Sequence, residues 1–158
     1  MANTMTYKFQ QLKVYKLALE YVDTVYELSG RLPEAERFNL RSQLERAATS
    51  VVLNIAEGST GQSNAEQKRF LGLALRSYLE TIACFDIIEQ RGYLASNTLM
   101  EIRESGHQLF VKLQAFRRSL SGGQKTRDRG QNSRSSVASP PSAAPGPRSS
   151  VSHQEVES

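Results

Sequence analysis

Arg46-Ala-Ala-Thr-Ser-Val-Val-Leu-Asn-Ile-Ala-Glu-Gly58 is the stretch whose reading decides the fold. Ala47, Ala48, Val51, Ile55 and Ala56 fall on one stripe of a helix that Gly58 ends. Small residues on a buried stripe let a second backbone come close, so this helix belongs at the centre of a packed bundle. The same helix carries Arg41, Glu45, Arg46, Asn54 and Glu57, polar groups too regularly placed to be filler. Asn54 and Glu57 are expected to hold Arg46 or a neighbouring helix end through hydrogen bonds. With Gly58 they make a structural motif.

Outward from this helix the chain reads as three more. The first spans about Gln11 to Ser29, with Leu12, Tyr15, Leu19, Val22 and Tyr26 as its apolar stripe and Gly30 as its cap. Pro33 is read as the opening of the second helix, where Glu34 and Glu36 suit the positive end of the dipole. Leu40 and Leu44 begin its stripe. Ser63-Asn-Ala-Glu66 is a capping-box sequence and starts the third helix, which Gly92 closes. Its stripe is Phe70, Leu71, Ala74, Tyr78, Ile82, Phe85 and Ile88. Leu73, Leu75, Leu79 and Ile87 make it apolar on more than one face, as in a helix that also buries a surface between subunits. Ser96 is read as the cap of the fourth helix, with Leu99, Ile102, Leu109, Leu113, Phe116 and Leu120 facing inward. Gly106 in its middle predicts a close helix crossing. Short connections favour antiparallel neighbours, hence an all-α, up-down-up-down four-helix bundle.

The bundle occupies residues 1–120, its folded part running from about residue 7. Residues 121–158 are expected to form a disordered Ser/Pro/Arg-containing tail: they hold no aromatic residue, and four of the chain's five prolines lie between Ser139 and Pro147. Such a segment buries too little apolar surface to offset its ordering entropy. The chain carries a net charge of +4. The tail holds five Lys and Arg against three Asp and Glu, which leaves the bundle at +2. Net charge alone therefore does not imply nucleic-acid binding, although basic residues gathered on one face would.

Cys84 is the only cysteine, which excludes an internal disulfide; its neighbours Ile82, Ala83 and Phe85 predict a buried, inert thiol in a reducing compartment. Of the two histidines, His153 lies in the tail, and His107 would reach Cys84 only across helices. Glu104-Ser-Gly-His107 has the Glu-x-x-His spacing of a di-metal bundle but no second copy. No catalytic residue, cofactor or metal is expected. The stretch Met1–Lys8 lacks the apolar core of a signal peptide, and no run approaches the ~18 apolar residues that span a bilayer, so a cytoplasmic protein is expected.

Several blocks resemble a known bacterial family: Phe9-Gln-Gln-Leu-Lys-Val-Tyr-Lys-Leu-Ala18, Leu32-Pro-Glu-Ala-Glu-Arg-Phe-Asn-Leu40, Gln43-Leu-Glu-Arg-Ala-Ala48, Asn54-Ile-Ala-Glu-Gly58 and Arg91-Gly-Tyr-Leu94. Together they are similar to the four-helix-bundle proteins related to the 23S rRNA intervening-sequence proteins, over roughly Tyr7 to Leu120. The resemblance implies a small bundle that assembles as a ring, typically a homopentamer. A related group, the accessory variability proteins of diversity-generating retroelements, implies basic pentameric barrels that bind nucleic acid and partner with a reverse transcriptase. The family often has proline where this chain has Val52, which predicts a straighter second helix.

The residues expected to bind nucleic acid are Arg41 and Arg46 on the second helix, Lys68, Arg69 and Arg76 on the third, and Lys112, Arg117 and Arg118 on the fourth. Arginine suits phosphate because its planar fork makes paired hydrogen bonds. A fivefold ring would multiply even a small patch. Against this, Arg41 can pair with Glu45, Arg76 with Glu80 and Arg69 with Glu66 along their own helices. The leading expectation is a non-enzymatic oligomer that binds structured RNA or an RNA–DNA intermediate. The alternatives are a protein-binding scaffold with no nucleic-acid contact and, more distantly, a metal protein using Glu104 and His107.

Overall fold

The structure is a computed structural model that describes residues 6–61 and 63–122; the expected tail lies outside the described residues apart from Ser121 and Gly122. All regular elements among the described residues are helical. After a 3-10 turn at Lys8–Gln11 come α1 (Lys13–Ser29), a second 3-10 turn (Glu34–Glu36), α2 (Leu40–Gly58), α3 (Asn64–Gln90) and α4 (Ser96–Ser119). Each helix lies beside its chain neighbours, and α4 returns to α1, so the four form an antiparallel up-down-up-down ring. The diagonal pair α1 and α3 is bridged through side chains. Tyr21 donates to the Thr81 hydroxyl at 2.6 Å, while Thr81 donates to the Tyr78 carbonyl at 2.6 Å. Burial pushes the Tyr21 phenol well above its ordinary range, so it stays a neutral donor.

The α2 stripe packs largely as its sequence predicts: Leu40, Leu44, Ala47, Ala48, Val51 and Ile55 are all buried, while Ala56 is only half-buried. α2 continues unbroken through Val52, which is also buried. The α1 stripe needs correction. Its buried residues are Val14, Ala18, Tyr21, Val25 and Leu28, one position round from the predicted set, and Leu19 and Tyr26 are exposed. Two adjoining apolar stripes share this helix, and the core takes the one whose small Ala18 admits close packing.

Pro33 does not open α2. It precedes the Glu34–Glu36 turn, and α2 starts at Leu40, four positions after that turn's last residue; the Glu36 carboxylate accepts from Asn39 Nδ2 at 3.1 Å and from the Leu40 amide at 3.4 Å. Ser63 caps α3 by accepting from the Glu66 amide at 3.2 Å, but the Glu66 carboxylate is engaged by Arg69. α3 ends in a Schellman motif: Tyr93 N–H donates to the Ile88 carbonyl, Gly92 N–H to that of Glu89, and Gly92 has φ +66°. Ala95, not Ser96, occupies the cap position of α4. The Ser96 side chain instead helps to hold the Glu89 carboxyl below its ordinary range. Gly106 serves tyrosine rings rather than a backbone crossing: a Cβ there would lie 2.7 Å from the Tyr21 ring and 3.0 Å from that of Tyr78.

Candidate nucleic-acid interface

The seams on either side of α3 are built differently. Along α2–α3 the polar groups satisfy one another. Asn54 Nδ2 donates to the Ser50 carbonyl at 2.8 Å and its hydroxyl at 3.1 Å, and the Ser50 and Ser77 hydroxyls meet at 2.9 Å. At Gly58 α3 comes close, since a Cβ there would sit 2.8 Å from Phe70 Cβ. The expected Arg46 clasp is absent: Asn54 ties α2 to α3 through Ser50, and Glu57 is exposed.

The predicted basic residues divide into three groups. Arg41 is structural, pairing with Glu45 at 3.0 Å, and Glu45 also accepts from Ser29 at 2.5 Å, so the ion pair clamps α2 to α1. Arg46 is exposed on the outer side of α2, beside Tyr26, Leu53 and Glu80. Lys112 is exposed on α4 and lines neither of the grooves described next. The remaining five, Lys68, Arg69, Arg76, Arg117 and Arg118, converge at the end of the α3–α4 seam where α3 begins and α4 finishes.

Two adjoining grooves hold them. One, of about 620 Å³, is lined by Arg69, Arg76 and Arg117 together with Leu73, Leu79 and Phe110 among others. The second, of about 440 Å³, adds Lys68, Arg118 and Ser121. Arg117 reaches from α4 to α3, where its Nε donates to the Lys68 carbonyl at 3.3 Å. The guanidinium passes over Gly72, 3.5–3.6 Å from where a Cβ would stand, an ordinary contact distance. That bond uses one N–H, and the terminal amines have no ion-pair partner among the described residues. Arg69 is held by Glu66 at 2.9 Å and lies 4.7 Å over the Phe70 ring. The Glu66 hydrogen bond and charge raise its already high pKa, so it stays a cation. The i,i+4 pair expected between Arg76 and Glu80 does not form; Gln43 from α2 donates to Glu80. Arg76 has no ion-pair partner among the described residues.

Sequence reasoning passed over Gly72, Phe110 and Gln114. The available signal was a glycine inside a long helix, a position that costs helical stability and so marks a close approach.

Cys84 is buried, and burial raises its thiol pKa, as an inert core cysteine requires. His107 is exposed and lies 6.3 Å from the Phe110 ring. Among the described residues no cluster of three or more His, Cys, Asp or Glu is placed to hold a metal, and no helix is long and apolar enough to cross a membrane.

The sequence matches the 23S rRNA-intervening sequence proteins over residues 10–115. The chain belongs to that family. A structural relative is a protein with unknown function from the S23 ribosomal protein family of Bacteroides thetaiotaomicron, whose crystal structure superposes with a TM-score of 0.62 at 23% identity. The match covers 66% of this chain and 95% of that one, and shows that the two share the four-helix fold. No curated protein matches. The matched region of the family contains all five residues that converge except Arg117 and Arg118, which lie just beyond it.

Proposed function

We propose that the protein works without catalysis, as a homo-oligomeric bundle that binds nucleic acid, structured RNA or an RNA–DNA intermediate, at the basic end of its α3–α4 seam. One observation carries this reading. Arg69, Arg76 and Arg117 from two helices line one groove that no Asp or Glu lines, with Lys68 and Arg118 beside it. Cations gathered this way suit the phosphates of a polynucleotide, and each phosphate they neutralise releases counterions. The family's name, tied to 23S rRNA, points to RNA as the first ligand class to try. The resemblance to retroelement accessory proteins extends the proposal to a reverse transcriptase as partner and to a pentamer as the assembly.

The outer faces of the helices support self-association. Leu53 on α2 and Ile87 on α3, away from the basic grooves, are each about half exposed, at 56% and 49%. Apolar area of this kind suits a sister subunit. It equally favours a second reading, a protein-binding scaffold with no contact to nucleic acid.

A salt titration separates the two. Fluorescence anisotropy of the full chain with a labelled RNA hairpin should show binding at low salt whose logarithmic affinity falls linearly with the logarithm of salt concentration. Absence of binding at the lowest salt removes the nucleic-acid reading and leaves the scaffold. Sedimentation at micromolar concentration tests the assembly separately: a lone, folded protomer would remove the ring.

A further inference from the structure

The larger α3–α4 groove is more than a set of cations. Leu73, Leu79 and Phe110 line it beside the three arginines, and Leu79 remains half exposed. Phosphates make no use of such a surface. A continuous duplex presents sugars and phosphates on its outside and keeps the flat faces of its bases stacked, so a duplex laid across this groove would leave the apolar lining against nothing that matches it. An unstacked nucleotide has both parts: a flat aromatic base and an anionic edge. Phe110 is a half-buried ring beside Tyr78, with ring centres 5.2 Å apart and planes tilted by 32°, and the exposed His107 ring lies 6.3 Å from it. A ring flanked in this way loses little freedom when a base packs against it. Gln114, in the same lining, carries both a donor and an acceptor, the combination a base edge requires.

We propose that the α3–α4 groove receives an unstacked nucleobase against Phe110 and Leu79 while Arg76 and Arg117 hold its flanking phosphates, so that the protein selects single-stranded or bulged nucleic acid over continuous duplex. This inference rests on the nucleic-acid reading above and narrows it. The groove's volume of about 620 Å³ falls in the ordinary range of small-ligand sites, enough for one nucleotide.

The test uses three labelled probes of equal length and charge per strand: an oligoadenylate, an abasic strand with the same phosphates, and an RNA duplex. Wild-type protein should bind the oligoadenylate about tenfold more tightly than the abasic strand, the scale of one base–aromatic stack. Phe110→Leu, which keeps an apolar group against Tyr78, should erase most of that difference and leave the abasic affinity unchanged. The wild-type comparison needs no mutation, so the proposal is tested even if the variant fails to fold. Equal affinity for oligoadenylate and abasic strands, or duplex bound as tightly as single strand, overturns the base pocket and leaves the nucleic-acid reading standing. Failure of every probe to bind at low salt removes both. An acidic, leucine-containing peptide that binds the groove while the oligoadenylate does not would also overturn the proposal, assigning the surface to a protein.

Discussion

At one end of the α3–α4 seam Arg103 is forked between Asp86 and Glu89, each at 2.7 Å. At the other end Arg76 and the terminal amines of Arg117 have no carboxylate within ion-pair distance among the described residues. The same two helices and the same residue type thus produce opposite results. Arg103 crosses from α4 to acids on α3 and is neutralised there. Arg117 makes the matching crossing, but meets a backbone carbonyl and a glycine. A basic side chain becomes available to a ligand only after the local acids have been counted. By that measure Arg41 and Arg103 belong to the fold, while Arg76 and Arg117 remain for a partner.

The largest expected effect comes from emptying the open end. The double variant Arg76→Gln/Arg117→Gln should weaken RNA binding about tenfold at low salt and reduce the magnitude of the salt slope by about 1.5, the share of two phosphates. Its thermal stability should fall by no more than about 1 kcal/mol, since Arg76 makes no ion pair among the described residues and Arg117 gives up one exposed hydrogen bond to the Lys68 carbonyl. An unchanged slope would show that neither residue meets a phosphate. The reciprocal change, Arg103→Gln, should leave the slope alone and lower the midpoint of thermal unfolding only modestly, since both bonds lie at a partly exposed surface where screening limits ion pairs. Loss of RNA binding by Arg103→Gln, with the fold intact, would break the distinction between the two ends.

Much of this contrast was hidden in the sequence for identifiable reasons. The fold class was legible because α2 has one unambiguous stripe and α3 carries clear signals at both ends, Ser63 and Gly92. The face of α1 was not, because two apolar stripes run side by side and only packing against Tyr78, Thr81 and Gly106 selects Tyr21 over Tyr26 and Leu19. The basic residues were legible as candidates, yet their pairing was not. Glu80 stands four residues after Arg76 and looks like its partner, but Gln43 from another helix takes that carboxylate. Helix-local spacing also placed Arg69 with Glu66, correctly. What sequence spacing could not register was Arg117 meeting Lys68, 49 positions away.

A smaller effect is expected at the glycine beneath Arg117. Glycine inside a helix costs about 1 kcal/mol relative to alanine. A Cβ at Gly72 would meet only the Arg117 guanidinium, at ordinary contact distance. Gly72→Ala should therefore stabilise the protein by up to about 1 kcal/mol, read as a rise in the midpoint of thermal unfolding. A fall would mean that Arg117 lies more tightly on α3 than these distances allow. Gly58 provides the contrast within the bundle: its Cβ would meet that of Phe70 at 2.8 Å, so the same substitution there should destabilise.

The least effect, and the most specific to the closed end, is in the response to acid. The hydrogen bond from Arg103, with help from Ser96, holds the Glu89 carboxyl below its ordinary value of 4.5. A carboxylate whose pKa is depressed by folding stabilises the native state above its unfolded pKa. That contribution disappears as the pH falls through the folded value. The stability gap between wild type and Arg103→Gln should accordingly be constant near neutrality and shrink as pH is lowered from about 5 toward 3. Glu36 is a control in the same titration. Its carboxyl is also held low, chiefly by the Tyr93 hydroxyl at 2.7 Å, and Arg103 is not among the groups that depress it. Both proteins should therefore keep the acid sensitivity due to Glu36. Only the part due to Glu89 should depend on Arg103, and a gap that stays constant down to pH 3 would show that Arg103 stabilises the seam without stabilising that charge.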